Sequence, residues 1–213
     1  LLLLFQATLE QWTQCQRQWM YLEAIFASQD IARQLPDESA MFESVSKGFV
    51  QIMRRAADNP NCFAAATYSG LKDSLELYNV QLDKINKQLE SYLETKRVAF
   101  PRFYFLANDE LIKILSNQKN HHAVQPHLRK CFDNLVKLEF ADKDIRAMIS
   151  AEGERVPLGV NLKVRNNVET WLGDLEKDMV KTLRRLMKKG LLEYDQSPRK
   201  SWIAEKFAQV VMT

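Results

Sequence analysis

The sequence predicts a mainly α fold, namely an elongated helical-bundle arm that carries one small β-hairpin. Three observations indicate this fold. Gly and Pro number only six each among 213 residues, which disfavours a sandwich of short strands joined by many turns. Apolar residues recur at helical spacing through most of the chain. One stretch after residue 144 alternates with a period of two instead, as a β-hairpin does.

The first two helices are predicted on either side of Pro36. Over residues 2–27 apolar residues recur in steps of three, four and seven, and one face would carry Trp12, Cys15, Trp19, Leu22 and Phe26. A second helix opens on the acids after Pro36 and ends at Asn59-Pro60-Asn61. We interpret the leading leucines as one side of a helix that begins upstream, so we expect the chain to be a piece of a longer protein.

The third helix carries the most regular pattern in the chain. Its apolar residues alternate steps of four and three, which is a heptad seam typical of coiled coils: Leu71, Leu75, Tyr78, Leu82, Ile85, Leu89 and Tyr92. From Leu71 to Arg97 it would measure ~40 Å at about 1.5 Å per residue. We expect it to end near Val98, because Pro101 excludes helical geometry from the residue before it.

An aromatic cluster, "FPRFYF", follows this helix. We interpret it as a candidate structural joint between helical units, formed by Phe100, Pro101, Phe103, Tyr104 and Phe105, because large rings bury much surface. A ligand pocket is the alternative, but no charged or metal-binding cluster accompanies the rings. Asn108 is the expected N-cap of the next helix.

The second half of the chain mixes element types. A short helix with Pro126 near its start leads into a β-like run, and a hairpin follows, with Ile145, Ala147 and Ile149 on one face and a turn at Glu152-Gly153. Val156, Leu158 and Val160 continue its apolar alternation. Asn166-Asn167 with Glu169 predicts the start of a long helix that Gly190 closes, and Ser197-Pro198 predicts a last helix.

No motif for catalysis or ligand binding occurs. The chain has no Gly-Lys pair, hence no phosphate loop, and neither GxGxxG nor a nucleophile elbow. His121, His122 and His127 lie near Cys131 but lack a zinc-site spacing, and the three cysteines form no CxxC pair. We therefore expect no catalytic, cofactor-binding or metal-binding residues in this segment, and no enzymatic activity of its own.

Charge gives little indication of a partner. The net charge is only +3, so we expect neither nucleic acid nor a membrane as a partner. A basic run in "KDMVKTLRRLMKKG" could bind calmodulin, lipid or a polyanion, but a solvated helix face is favoured.

Four stretches in this order resemble the linker region of dynein heavy chains: "WTQCQRQWMYLEAIFASQDIARQLPDES", "YLETKRVAFPRFYFLANDELIKILS", "VQPHLRKCFDNLVKLEF" and "ISAEGERVPL" with "NNVETWLGDLEKDMVKTL". The resemblance covers essentially the whole chain. The "FPRFYFL" and "VQPHLRKCF" forms resemble the axonemal type, and within it the inner-arm type.

This resemblance implies a mechanical linker that arches over an AAA+ ring and transmits its power stroke. It implies a helical-bundle part over 1–98, an aromatic joint with short helices over 99–140, a β-hairpin over 141–165, and a long helix with the approach to the ring over 166–213. The turn Glu152, Gly153 and Glu154 is our candidate for contacting the ring.

Cofactors and partners follow from the same resemblance. ATP and Mg²⁺ would bind in the ring, outside this segment. Intermediate chains, light chains and microtubules would be met through other regions, in the cytoplasm and in the axoneme of a cilium or flagellum. The alternative is a passive helical scaffold or tethering module that binds partners through its heptad seam; flanking sequence with a phosphate loop would distinguish the two.

Overall fold

The structure is a computed structural model that describes residues 1–117, 120–164, 167–196 and 198–212. The chain is mainly α and forms two compact units, unit 1 (Leu1–Thr95) and unit 2 (Lys96–Thr213). None of the described helices has both the length and the apolar composition needed to cross a bilayer.

Unit 1 is built from helices. Their bounds are α1 (Leu2–Phe26), α2 (Gln29–Gln34), α3 (Pro36–Asp58), α4 (Cys62–Ala66) and α5 (Leu71–Ala99), the last turn of which belongs to unit 2. The two long predicted helices before Asn59 are present as α1 and α3. The sequence pattern missed α2, because six residues are too few to show a helical period.

The core of unit 1 forms where α1, α3 and α5 pack. Cys15 and Leu22 of α1 are buried, and the ring of Trp19 lies 5.5 Å from that of Phe49 on α3. Asn79 of α5 donates to the backbone oxygen of Gln11 at 3.0 Å and to its Oε1 at 2.8 Å. The Asn79 NH2 group is therefore paired with the facing helix, whereas its buried Oδ1 has no hydrogen-bond partner among the described residues.

The heptad seam of α5 agrees with the prediction at its leucine and isoleucine positions and departs from it at the two tyrosines. Leu71, Leu75, Leu82, Ile85 and Leu89 are buried. Tyr78 and Tyr92 are half-buried, and Leu93 takes the next core position in place of Tyr92. A straight helix has 3.6 residues per turn, so its buried line leaves a strict heptad after a few turns. The coiled-coil interpretation of the seam stays a prediction.

Unit 2 combines helices with a sheet. In chain order it contains a 3₁₀ segment (Pro101–Phe105), α6 (Asn108–Leu115), a second 3₁₀ segment (His121–His127), α7 (Leu128–Cys131), β1 (Leu135–Ala141), β2 (Asp144–Ser150), β3 (Arg155–Lys163), α8 (Val168–Tyr194), α9 (Arg199–Glu205) and α10 (Ala208–Met212).

The predicted hairpin is two strands of a three-stranded antiparallel sheet with the order β1-β2-β3. The β-like run expected after the short helix is β1, and it pairs with β2. The alternation of β2 holds from Ile145 to Ala147 and then ends, since Met148 is buried and Ile149 is only half-buried. Val160 is exposed rather than inward; it lies between Pro157 and Leu162, where the register of β3 with β2 is broken. The sheet packs on α8, where the Gly159 N–H donates to Thr182 Oγ1 at 3.1 Å.

Two predictions about α8 differ from the structure. Gly190 does not close the helix, which continues to Tyr194; instead it is buried where a Cβ atom would lie 2.5 Å from Val210 Cγ1. The N-cap residue is Asn167, whose side chain makes no capping hydrogen bond. The other capping residues named from the sequence, Asn166 and Ser197, lie outside the described residues. The last predicted helix begins as α9 at Arg199, with Pro198 as its N-cap.

Candidate functional site: the aromatic joint and the hairpin turn

The candidate joint begins where α5 ends. Phe100 has an extended backbone (φ −136°, ψ 94°), as expected for a residue that precedes proline. Pro101–Phe105 then forms a short 3₁₀ turn. The predicted end of the helix near Val98 agrees with this geometry, since α5 ends at Ala99.

Only two of the four joint rings pack inside. Phe103 is fully buried, and its ring meets that of Phe100 in a T-shaped arrangement with centroids 5.0 Å apart. Tyr104 and Phe105 are 55% and 67% exposed, contrary to the expectation that all of these rings pack in the joint. The 3₁₀ segment has about three residues per turn, so Phe100, Phe103 and Leu106 share the buried side.

Two arginines that the sequence analysis did not single out hold this segment. Arg102 donates to Glu176 Oε1 on α8 at 2.9 Å and to the Cys131 backbone oxygen at 3.0 Å. Its guanidinium lies 4.9 Å from the centroid of the Phe132 ring. Arg97 donates to the Leu106 backbone oxygen at 3.3 Å and to Asn108 Oδ1 at 2.7 Å. Their position in or next to the aromatic run is the sequence feature by which these two arginines could have been found.

The start of α6 also differs from the prediction. Ala107, not Asn108, is the N-cap residue, and the Glu110 carboxylate accepts its N–H at 3.2 Å. The amide of Asn108 is used by Arg97 instead. Lys130 of α7 donates to Glu110 at 2.8 Å, and this contact, with the Ala107 N–H, holds the pKa of Glu110 below its ordinary value.

A buried ion pair lies at the same end of α5. Lys96 Nζ and Glu169 Oε1, at the start of α8, are 2.6 Å apart, and each residue is only 8% exposed. Within the part of the chain that the structure describes, the second oxygen of Glu169 has no hydrogen-bond partner. Removing Lys96 would leave the buried Glu169 carboxylate without this counter-ion.

The hairpin turn joins β2 and β3. Gly153 has a φ of +83°, a left-handed conformation that glycine adopts without strain. Asn134 Nδ2 donates to Glu152 Oε2 at 3.0 Å, and this hydrogen bond lowers the pKa of Glu152. The Ala208 N–H, at the start of α10, donates to Glu154 Oε1 at 2.8 Å. Both carboxylates of the turn are therefore engaged within unit 2.

The histidines considered from the sequence lie in two places. The rings of His121 and His122 pack on Phe140, with centroids 4.6 and 4.9 Å away. His127 Nδ1 lies 3.5 Å from Glu110 Oε1. In the ranges that the structure describes, no three His, Cys, Asp or Glu side chains come together as metal ligands. Burial raises the pKa of Cys131 to about 11, so this neighbour of the histidines is a protonated thiol at neutral pH.

The described residues form a mainly α protein. Its candidate sites consist of packed aromatic rings at the joint and of two carboxylates that accept hydrogen bonds at the hairpin turn. Residues 1–190 match the family model described as dynein heavy chain, N-terminal region 2. The chain belongs to the dynein heavy chain family.

Axonemal dynein heavy chains are among its relatives. The chain is 49% identical to dynein axonemal heavy chain 6 of Homo sapiens over 233 residues, which covers 100% of this chain and 6% of that protein. It is 44% identical to dynein axonemal heavy chain 12 of Mus musculus (99% of this chain, 7% of that protein) and to dynein axonemal heavy chain 1 of Homo sapiens (98% and 5%). The chain therefore spans less than a tenth of the length of these relatives.

Proposed function

We propose that this chain is part of the mechanical linker of an axonemal, ATP-driven microtubule motor, and that it transmits the power stroke of an AAA+ ring located elsewhere in the same heavy chain. The observation that carries this proposal is the family match over residues 1–190. The names of the relatives place them in axonemes, so we propose the cytoskeleton of a cilium or flagellum as the location of this protein.

The packing suits a part that carries force. Helix α5 has 29 residues, or ~44 Å at about 1.5 Å per residue, and a nearly continuous line of buried leucine and isoleucine side chains follows it. At its end, Phe100 and Phe103 are buried, with their ring centroids 5.0 Å apart. Close-packed interiors have low compressibility and transmit strain, which is the property that a lever requires.

ATP and Mg²⁺ would act in the ring and not in this segment. We further propose that the turn formed by Glu152, Gly153 and Glu154 contacts that ring. Dynein intermediate and light chains and microtubules would bind other regions of the heavy chain. This assignment places force transmission, rather than ATP hydrolysis, in the residues described above.

A matched pair of phenylalanine variants tests the lever role in the full-length motor. Phe103→Ala empties a buried position and should cost about 3–5 kcal/mol locally, whereas Phe105→Ala removes an exposed ring and should change stability by about 0.5 kcal/mol or less. We expect Phe103→Ala to reduce microtubule gliding velocity per ATP hydrolysed, with Phe105→Ala equal to wild type. If a folded Phe103→Ala motor keeps the wild-type ratio, the passive scaffold is the better description.

The ring contact needs a separate pair of variants, because the turn also has internal partners. Glu152→Gln removes one charge while preserving shape. Asn134→Gly removes the side-chain hydrogen bonds to Glu152 Oε2 and to the Ala151 N–H, preserves the charge, and suits the positive φ of 58° at this position. A role in contacting the ring predicts altered stepping and ATPase rates for Glu152→Gln and a smaller change for Asn134→Gly. Equal effects of the two variants would assign the turn to local structure alone.

A further inference from the structure

The positive charge of this chain is concentrated on one helix. Residues 177–189 of α8 hold six basic residues and one acidic residue, a net charge of +5. The whole chain carries +3, so the remaining residues together carry −2. The basic residues are Lys177, Lys181, Arg184, Arg185, Lys188 and Lys189.

Four of these residues form a line along the helix, here called the basic stripe: Lys177, Lys181, Arg184 and Lys188. Their spacings of four, three and four residues keep them within ~60° of the helix circumference, over a length of ~17 Å. All four are exposed. The other side of α8 is covered, because Trp171, Leu175 and Thr182 are buried.

Three of the four stripe residues have no acidic partner among the residues that the structure describes. In the described ranges of the chain, no acidic side chain lies within ion-pair distance of Lys181, Arg184 or Lys188. Lys177 has Asp174 at 3.6 Å, at an exposed position. Like charges three or four residues apart destabilise a helix by a few tenths of a kcal/mol for each pair. This arrangement therefore costs helix stability unless anions outside α8 compensate it.

Apolar side chains lie at the C-terminal end of the stripe. Leu191 and Leu192 are 70% and 74% exposed, one on each side of the line. Val180 is also exposed along one flank. An exposed apolar pair next to a row of cations offers a protein partner both apolar contact and charges that set the register.

We propose that the basic stripe, with Leu191 and Leu192, is a docking surface for an acidic protein surface. Carboxylates of the partner would lie opposite Lys181, Arg184 and Lys188, and an apolar patch would cover the two leucines. This inference does not depend on the lever role, since it follows from the exposed face of α8.

Two other kinds of partner fit less well. A helix that lies in a bilayer surface needs an apolar face along its whole length, whereas here Val180 is separated by about three turns from Leu191 and Leu192 at the end of the helix. A calmodulin-type partner takes the apolar face of a helix into its groove, and the apolar face of α8 is already packed against the sheet. An acidic protein surface that contacts only the exposed half of α8 requires neither a continuous exposed apolar face nor access to the packed one.

Carbodiimide cross-linking of the full-length heavy chain in its native assembly tests this directly. The reagent joins a lysine amine to a carboxylate only when the two already form a contact. We expect Lys181 and Lys188 to be linked to Asp or Glu outside residues 1–213, and the exposed α5 lysines Lys84 and Lys87 to give no such products. Raising the salt concentration to about 1 M should reduce the yield, because the Debye length shrinks to about 3 Å.

Charge reversal supplies the matched control. K181E/R184E/K188E should weaken the partner contact about tenfold or more, measured without the reagent as retention, through a salt wash, of the acidic protein that the wild-type cross-links identify. R54E/K84E/K87E makes the same change of charge on exposed sites of α3 and α5 and should leave retention unchanged. The proposal is overturned if Lys181 and Lys188 link only to acids of α8, if both triple variants behave alike, or if the wild-type chain binds only phosphatidylserine vesicles.

Discussion

The buried pair of Lys96 and Glu169 gives the sharpest test of how unit 2 is held together. We would replace Lys96 by Met, Glu169 by Gln, and both together by Met and Leu. The pair is 2.6 Å apart and both residues are almost fully buried, yet one oxygen of Glu169 has no hydrogen-bond partner among the described residues. These facts determine whether each variant should stabilise or destabilise unit 2.

Breaking a buried pair by removing one member costs about 3–5 kcal/mol, because the remaining charge stays buried without its counter-ion. Lys96→Met should therefore open this region strongly. The double variant should recover most of the loss, since an incompletely satisfied ion pair is often no better than apolar side chains of similar volume. The loss of stability caused by Glu169→Gln should lie between those of Lys96→Met and the double variant, because the amide leaves Lys96 charged but still offers it an oxygen.

Hydrogen–deuterium exchange of the full-length heavy chain measures this locally. A loss of 3 kcal/mol corresponds to about 150-fold faster exchange of the amides that open together around the pair, at about 1.4 kcal/mol per tenfold change. The exposed i,i+4 pair Lys72–Glu76 is the control, and Lys72→Met should change exchange less than about threefold. The reasoning fails if Lys96→Met exchanges like Lys72→Met, or if the double variant is as open as the single one.

Three further predictions concern sites in both units. Gly190→Ala should speed exchange in α9 and α10, because its Cβ would lie 2.5 Å from Val210 Cγ1, whereas Gly173→Ala, with nothing within 4 Å, should leave exchange equal or slower. Glu110→Gln should destabilise α6 at pH 7, because the folded-state pKa of Glu110 lies below 4.5 and its ionised carboxylate therefore stabilises the fold above that pH. This stabilisation is lost as the pH falls through the folded-state pKa, so exchange rates of wild type and variant should converge in acid in a pH series. A maleimide at pH 8 should modify the exposed Cys62 first, because burial raises the pKa of both Cys15 and Cys131 to about 11, and labelling of Cys15 at an equal rate in peptide mass spectra would contradict the burial.

The sequence predicts what depends on local periodicity. The long helices α1, α3 and α5 follow from apolar steps of three and four, and Pro101 places the end of α5 within a residue or two. The two strands around Gly153 follow from a period of two. Each of these signals needs only the residues of one element, which is why they can be read without a structure.

What the sequence missed depends on contacts between distant residues. Lys96 and Glu169 are separated by 73 positions, and no local pattern pairs them. Gly190 has the usual signature of a helix end, but the approach of Val210 is what requires a glycine there. Tyr104 and Phe105 are as aromatic as Phe103, and only the 3₁₀ geometry decides which rings turn inward.

Two physically different contacts hold the C-terminal end of α5 within unit 2. The Phe100–Phe103 contact is apolar and non-directional, so small sliding between rings costs little while separation costs the burial of both. The Lys96–Glu169 contact is short and charged, and it weakens steeply with any displacement in a dry environment. The ring contact therefore keeps the end of α5 attached to the core of unit 2, and the ion pair fixes its position. Loss of a ring should make this joint more compliant at an unchanged position, whereas loss of the ion pair should let the end of α5 shift relative to α8 while the core stays closed.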